Sequence, residues 1–374
     1  MSLSLTMTRS ANPLKHPGKR RKRLNRQIIL IIALSWTLLD FLFFLWRKAS
    51  GLLAEKYYQP EINFSKELLL REVNVFLISL LIGYILIGPL KNYLRNSSLW
   101  INFLGKTAIL VGAAFIMNFF IYVTYEWLIN GHTLQRAIEN LGDNVFQNNW
   151  ILKKMPQWVL FFLFTMLAIE INEKYSPGVF FDIMLGKYIQ PKEKRRIIVF
   201  LDLRDSTPIA EKLGHKEYFK FIRDFISYIS SGFTENDGRI YQYVGDEIVV
   251  WWPESRENAR KAITALLTAR KELNQQTDYF KQRYGTIPEY KAGMHAGVVM
   301  VGQVGIIKKD LLMSGDAMNT AARIRDACTE THHKYIASKD LIDLLDMEEW
   351  QAEPMGPMDL KGKHQDVELF ALKI

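Results

Sequence analysis

Ile197-Ile198-Val199-Phe200-Leu201-Asp202-Leu203-Arg204-Asp205-Ser206-Thr207 decides how this 374-residue chain is read. Its continuous apolar run predicts a strand buried on both faces, with a carboxylate at its end. A buried aspartate without a partner is costly, so a donor, a cation or a metal must compensate Asp202. Downstream, Tyr241-Gln242-Tyr243-Val244-Gly245-Asp246-Glu247 places a second carboxylate, Asp246, at the tip of a hairpin with strands over Arg239–Val244 and Glu247–Trp252. Either aspartate alone reads as an ordinary strand cap or turn residue. If the hairpin packs beside the first strand, the two converge. Two hard oxygen ligands with no histidine nearby suit Mg²⁺ or Mn²⁺ shared with substrate phosphates. A third element, Ser314-Gly315-Asp316-Ala317-Met318-Asn319-Thr320-Ala321-Ala322-Arg323, sets Asn319 and Arg323 on one helix face, with Ala321 and Ala322 allowing close packing. The forked, permanently charged guanidinium of Arg323 suits charge developing on a phosphoryl group, although by itself the segment reads as a surface helix.

Around these stretches strands and helices alternate. Pro208–Leu213, Tyr218–Ser231, Arg256–Tyr284 and Asn319–Ala327 read as helices, Glu289–Val304 as a strand, and short strands continue to Ile374. The pattern is an α/β domain of about 180 residues, large enough for its own core. Upstream, Phe180–Gln190 reads as a short connecting helix between Ser176-Pro177-Gly178 and the run Pro191–Arg196. Earlier still come four apolar stretches: Ile28–Trp46, Val73–Leu90, about Leu99–Val123 and Trp158–Ile171. The basic run Lys19–Arg23 sets the N-terminus on the cytoplasmic side, and four crossings return the chain there. The fourth stretch is short, and Arg47 and Lys48 fall on the outer side in this scheme. The first apolar run is too long for a removed leader and lacks a small-residue cleavage site. Asp40 and Lys106 lie within the spans, where pairing inside the bundle is the simpler reading of each. The loop Tyr125–Pro156, the longest on the outer face, is where an unidentified ligand could be met.

Composition narrows the function. The formal charge is +9, but eight net positive charges lie in residues 1–26, which hold no acid, so the remaining chain carries only +1. A basic surface for nucleic acid is therefore absent. The single cysteine, Cys328, excludes a disulfide framework and suits a reducing compartment. All seven histidines lie outside the spans, which excludes a bundle-bound haem with paired histidines.

Residues from about Lys194 to Ile374 resemble the catalytic domain of class III nucleotidyl cyclases. The motifs are Asp202 closing a strand, Gly245-Asp246 on a hairpin, Gly315-Asp316 followed by Asn319 and Arg323, and Lys361-Gly362-Lys363. With the four apolar stretches upstream, the resemblance implies an α+β fold in which the apolar stretches supply an N-terminal four-helix transmembrane bundle followed by a cytosolic ferredoxin-like βαββαβ cyclase domain. The divisions are a basic cytoplasmic tail over 1–26, a membrane domain over 27–172, a connecting helix over 173–193 and the catalytic domain over 194–374. It implies two divalent ions, Mg²⁺ or Mn²⁺, on Asp202, Asp246 and the Leu203 carbonyl. It also implies Asn319 orienting the ribose, Arg323 stabilising transition-state charge, and Lys361 holding the triphosphate. Lys291 stands where many members carry an arginine of similar duty, and Thr207 joins the substrate-binding set. The two halves of each site come from opposite subunits of a head-to-tail homodimer. The chain is thus expected to be a multi-pass membrane enzyme turning ATP into cyclic AMP and pyrophosphate, with lipid but no nucleic acid among its partners.

Departures from the family pattern concern the base. Adenylate cyclases commonly carry Lys, and Asp or Thr, where this chain has Gln242 and Leu312; guanylate cyclases tend to have Glu and Cys. An amide donates and accepts, so Gln242 can serve adenine or, turned over, guanine, whereas Leu312 contributes only shape. Asp205-Ser206 replaces the usual Gly-Phe. GTP is the alternative substrate, and an inactive nucleotide-binding membrane module is a third reading. The Gly-Asp-Glu hairpin is also reminiscent of diguanylate cyclases, which lack the Asn319–Arg323 helix.

Overall fold

The computed structural model describes residues 19–49, 64–90, 93, 98–140, 157–167, 169, 186–306, 310–345, 352–360 and 366–373. The chain divides into two compact units, one over Lys19–Lys174 and one containing Tyr175–Ile374.

The first unit is helical: α1 (Lys19–Ala49), α2 (Phe64–Ile85), α3 (Leu99–Leu128) and α4 (Gln157–Leu167). After α2 the chain continues as a π turn over Leu86–Leu90 that contains Pro89, whose missing N–H favours such a departure from regular helix. Three segments, Asn25–Trp46, Leu68–Leu90 and Trp100–Leu128, are long and apolar enough to cross a membrane. Among the described residues three spans are shown; the helix Gln157–Leu167 is shorter than a full crossing, and the rest of the expected fourth stretch lies largely outside the described residues. Along α1, Ala33, Trp36, Asp40 and Phe44 are buried while Leu30, Leu34, Leu38 and Leu42 are exposed, which gives one packed stripe and one stripe fit for lipid. Asp40 is paired. Arg71 Nη2 donates to Asp40 Oδ1 at 2.8 Å, and Gln157 Nε2 donates to the same oxygen at 2.9 Å. The charge anticipated as a bundle pair thus ties α1, α2 and α4 together. Lys106 is buried as well.

The second unit is built on an eight-stranded sheet in the order β2-β3-β1-β4-β6-β8-β7, with β5 paired to β4. Its strands are β1 (Lys192–Leu203), β2 (Arg239–Val244), β3 (Glu247–Pro253), β4 (Tyr290–Val304), β5 (Asp310–Ser314), β6 (Tyr335–Ser338), β7 (Ala352–Met358) and β8 (Val367–Leu372). Its main helices are α5 (Ser206–Glu235), α6 (Arg256–Asn274), α7 (Thr277–Tyr284) and α8 (Asp316–Glu330). Through β4 the chain runs βαββαβ with strands ordered 2-3-1-4, all antiparallel. Only the β4–β6 pairing is parallel among the described strands.

The apolar run of β1 is explained by burial on two sides. Ile197, Val199, Leu201 and Leu203 face the core covered by α5, α6 and α7, while Ile198 and Phe200 face a second core with Met318 and Ala321 of α8. By the same alternation Asp202 belongs to the α8 face. Gly293 on β4 sets the depth of that face. A Cβ there would lie 2.1 Å from the Arg325 amide nitrogen and 2.7 Å from the Ala321 carbonyl oxygen. Gly293→Ala is therefore expected to lower stability by about 1–3 kcal/mol or more, read by thermal unfolding, because α8 must lift off the strand. An unchanged melting temperature would show the seam to be loose.

Several expectations are corrected. The long helix Arg256–Tyr284 stops at Asn274 and restarts at Thr277. The break lets Phe280 and Tyr284 turn onto Phe221, with ring centroids 5.5 and 5.3 Å apart. Strand β5 was not anticipated, and α8 begins three residues before Asn319. The helix after β1 bends at Gly214 (φ 70°), which separates the two helical segments read from the sequence. Residues 186–190, the end of the expected connecting helix, are turns; its earlier part lies outside the described residues.

Candidate active site

The two aspartates meet on the α8 side of the sheet. Asp202, next to last in β1, stands directly across from Lys291 on β4. Asp246 occupies the β2–β3 turn, where Gly245 takes the left-handed φ of 61° that a tight reversal favours. Burial, and then the neighbouring Asp246 carboxylate, raises the pKa of Asp202, while Arg325 and Lys291 act in the opposite direction. Asp246 Oδ2 is buried and has no hydrogen-bond partner among the described residues. Leu203 packs its side chain into the opposite core, so only its carbonyl is available to this site.

Four further charged side chains, Lys291, Arg325, Glu247 and Asp326, complete the cluster. Lys291 Nζ lies 3.3 Å from Asp202 Oδ2 and donates to Thr329 Oγ1 at 2.7 Å. Arg325 Nη1 lies 3.4 Å from Asp202 Oδ2 and also contacts Glu247 Oε2, while its Nη2 lies 2.9 Å from Asp326 Oδ1. Burial raises the pKa of Glu247, and Arg325 opposes the rise. Glu247 and Arg325 were not anticipated. The signal for Arg325 was periodic: it follows the buried Met318 and Ala321 at helical spacing, which puts it on the inward stripe of α8.

Asn319 and Arg323 occupy the other side of α8. Both are exposed, and Arg323 Nη1 contacts Asp326 Oδ2 at 3.4 Å. Among the described residues no hydrogen bond or ion pair joins either of them to Asp202 or Asp246. One chain therefore brings the acidic pair together and leaves the Asn/Arg pair facing outward. The base-reading candidates, Gln242 on β2 and Leu312 on β5, are both exposed. Their neighbours link the two strands, since the Met313 amide donates to the Tyr241 hydroxyl at 3.0 Å. Thr207 is exposed in the first turn of α5. Lys361 lies outside the described residues.

The donors fit a divalent cation. Two hard carboxylates converge, and one buried oxygen lacks a donor, as an ion site would leave it. Among the described residues no group of three His, Cys, Asp or Glu side chains is placed to hold a metal ion.

Residues 189–373 match the adenylate and guanylate cyclase catalytic domain family. The chain carries a class III nucleotidyl cyclase domain, preceded by three long apolar helices. Adenylate cyclase 2 of Rhizobium meliloti (strain 1021) is 26% identical over 209 residues, covering 55% of this chain and 58% of that protein. An adenylate cyclase of Anabaena cylindrica is 24% identical, covering 55% of this chain and 43% of that protein. A receptor-type guanylate cyclase of Caenorhabditis elegans is 24% identical, covering 62% of this chain and 22% of that protein. The chain thus spans about half the length of the first two. A solved bacterial light-regulated adenylyl cyclase has the same fold, with a TM-score of 0.51 at 19% identity over 59% of this chain and 65% of that one. Class III cyclases generally use two divalent metal ions, act on nucleotides and work as dimers.

Proposed function

We propose that the chain is a membrane-anchored adenylate cyclase that converts ATP to 3′,5′-cyclic AMP and pyrophosphate in a head-to-tail homodimer. The observation that carries the reading is the division of labour within one chain: Asp202 and Asp246 are gathered on one side of the sheet, while Asn319 and Arg323 face outward on α8. A second copy, turned to face the first, brings the missing half to each acidic pair. Asp202, Asp246 and the Leu203 carbonyl hold Mg²⁺ or Mn²⁺, which when bound lowers the pKa of the ribose 3′-hydroxyl and neutralises triphosphate charge. The partner's copy of Asn319 orients the ribose so that its 3′-oxygen lies in line with the α-phosphorus and the bond to pyrophosphate. Arg323, from the same partner, stabilises the charge that grows on the α-phosphoryl oxygens as that bond breaks. Lys361 and Lys291 hold the triphosphate, Thr207 lies at the phosphate loop, and Gln242 and Leu312 frame the base. The chain's three long apolar helices anchor it, and a fourth crossing through residues 158–171 returns the chain to the cytoplasmic side, where Lys19–Arg23 also keeps the N-terminus.

Guanylate cyclase is the second reading. It is favoured by the amide at Gln242, which can turn to suit guanine; Leu312 contributes only shape to either base. Purified full-length protein supplied with ATP and then GTP, in Mg²⁺ and in Mn²⁺, decides between them by product analysis. Cyclic AMP is expected; cyclic GMP alone would transfer the assignment, and no cyclic nucleotide in any arm would remove the enzymatic reading.

A further inference from the structure

The acidic pair is not left bare by the chain. Asp202 is about four-fifths buried at its side chain (18% exposed) and repelled by Asp246, a combination that costs free energy unless cations stand against it. Two do, and they differ in kind. Lys291 has Asp202 as its one carboxylate among the described residues and is tethered by Thr329. Arg325 spreads its fork over three acids: Nη1 serves Asp202 and Glu247, and Nη2 serves Asp326. A guanidinium so divided can release one carboxylate and keep two, which a point-charge ammonium with a single partner cannot do.

We propose that Arg325 is a built-in counter-cation of the acidic pair, standing on Asp202 when the site holds no divalent ion and withdrawing onto Glu247 and Asp326 when an ion enters. It is a positioning residue, acting through Asp202 rather than on the substrate. Glu247 is its holding point: the stronger that grip, the more readily Asp202 is surrendered. The seam at Gly293 supports this role, because the close approach of β4 to the Arg325 backbone fixes where the side chain begins and leaves only its fork to move. The inference rests on the assignment of Asp202 and Asp246 as ion ligands, and its test separates the two claims.

The test measures Mn²⁺ binding by calorimetry on the detergent-solubilised full chain, without nucleotide, alongside thermal unfolding with and without Mn²⁺. Wild type is expected to bind Mn²⁺, and Asp202→Asn to lose that binding. Arg325→Gln should bind Mn²⁺ about tenfold more tightly, melt lower without metal and regain its melting temperature when metal is added. Glu247→Gln, which frees Arg325 to stay on Asp202, should bind about threefold more weakly. In the Arg325→Gln background the Glu247→Gln effect should vanish, because it acts through the arginine; simple through-space electrostatics would leave it intact. Should Arg325→Gln fail to fold, Asp326→Asn at a half-exposed position carries the same test, with Mn²⁺ binding weakened and the metal-free melting temperature unchanged. Additive effects in the double variant, or unchanged Mn²⁺ affinity in Arg325→Gln or Asp326→Asn, overturn the inference while leaving the ion site in place. Wild-type Mn²⁺ binding that survives Asp202→Asn overturns the ion site itself, and the role of Arg325 with it.

Discussion

Chains carrying Asp202→Ala and chains carrying Arg323→Ala, each inactive alone, regain cyclase activity when they are co-expressed. On the proposed assignment, Arg323→Ala removes the cation that meets transition-state charge, a loss on the order of 10²–10³ in turnover. On the same assignment, Asp202→Ala removes an ion ligand with comparable or greater effect. In a mixed dimer, one centre carries both lesions and the other carries neither. With equal expression and random pairing half the dimers are mixed, each with one sound centre, so recovery approaches about a quarter of the wild-type rate. Pull-down through a tag on one chain establishes that mixed dimers form. Mixed dimers without recovered activity would mean that each chain closes its own site, against the outward placement of Asn319 and Arg323.

The second large effect separates activity from stability. Asp246→Asn should lower turnover on the order of 10²-fold or more, since an amide is a poor ligand for a hard divalent ion. The same change removes the like charge that helps to raise the pKa of Asp202. The metal-free melting temperature should therefore hold or rise, within the equivalent of about 1 kcal/mol, while activity collapses. A steep fall in melting temperature instead would assign Asp246 to the architecture of the hairpin rather than to an ion.

Why some of this was legible in the sequence and some was not follows from particular residues. Strand β1 announces itself because both of its faces are buried, so Ile197 to Leu201 are apolar without interruption. The Gly245-Asp246 turn is equally plain, since few residues tolerate a left-handed φ there. That Asn319 and Arg323 share one helix face was readable from their four-residue spacing, whereas the outward direction of that face needed the packing of α8 on the sheet. By contrast, the break between α6 and α7 falls at Gln275-Gln276, with no proline or glycine to mark it, and is imposed by the packing of Phe280 and Tyr284. Strand β5 is five residues long and extends β4 at its far end, a pairing that local pattern does not encode. Arg325 escaped notice because its residue type says surface while its period says interior, and the contradiction is resolved only by three carboxylates contributed from β1, β3 and α8. Lys291 was singled out, but its pairing with Asp202 depends on strand register. The apolar N-terminal half shows the same divide: apolar length was plain, whereas the Asp40–Arg71–Gln157 link needed three helices in place.

The outward set of Asn319 and Arg323 has a consequence for signalling. If each centre is shared between two copies, as proposed, a solitary copy holds fragments of a centre and is silent, and output tracks encounters rather than headcount. While copies are sparse, doubling their number per unit area of bilayer raises product formation roughly fourfold, as mass action for a weak pair requires. Crowding in the plane of the membrane would then act as an input in its own right, without any messenger binding at all.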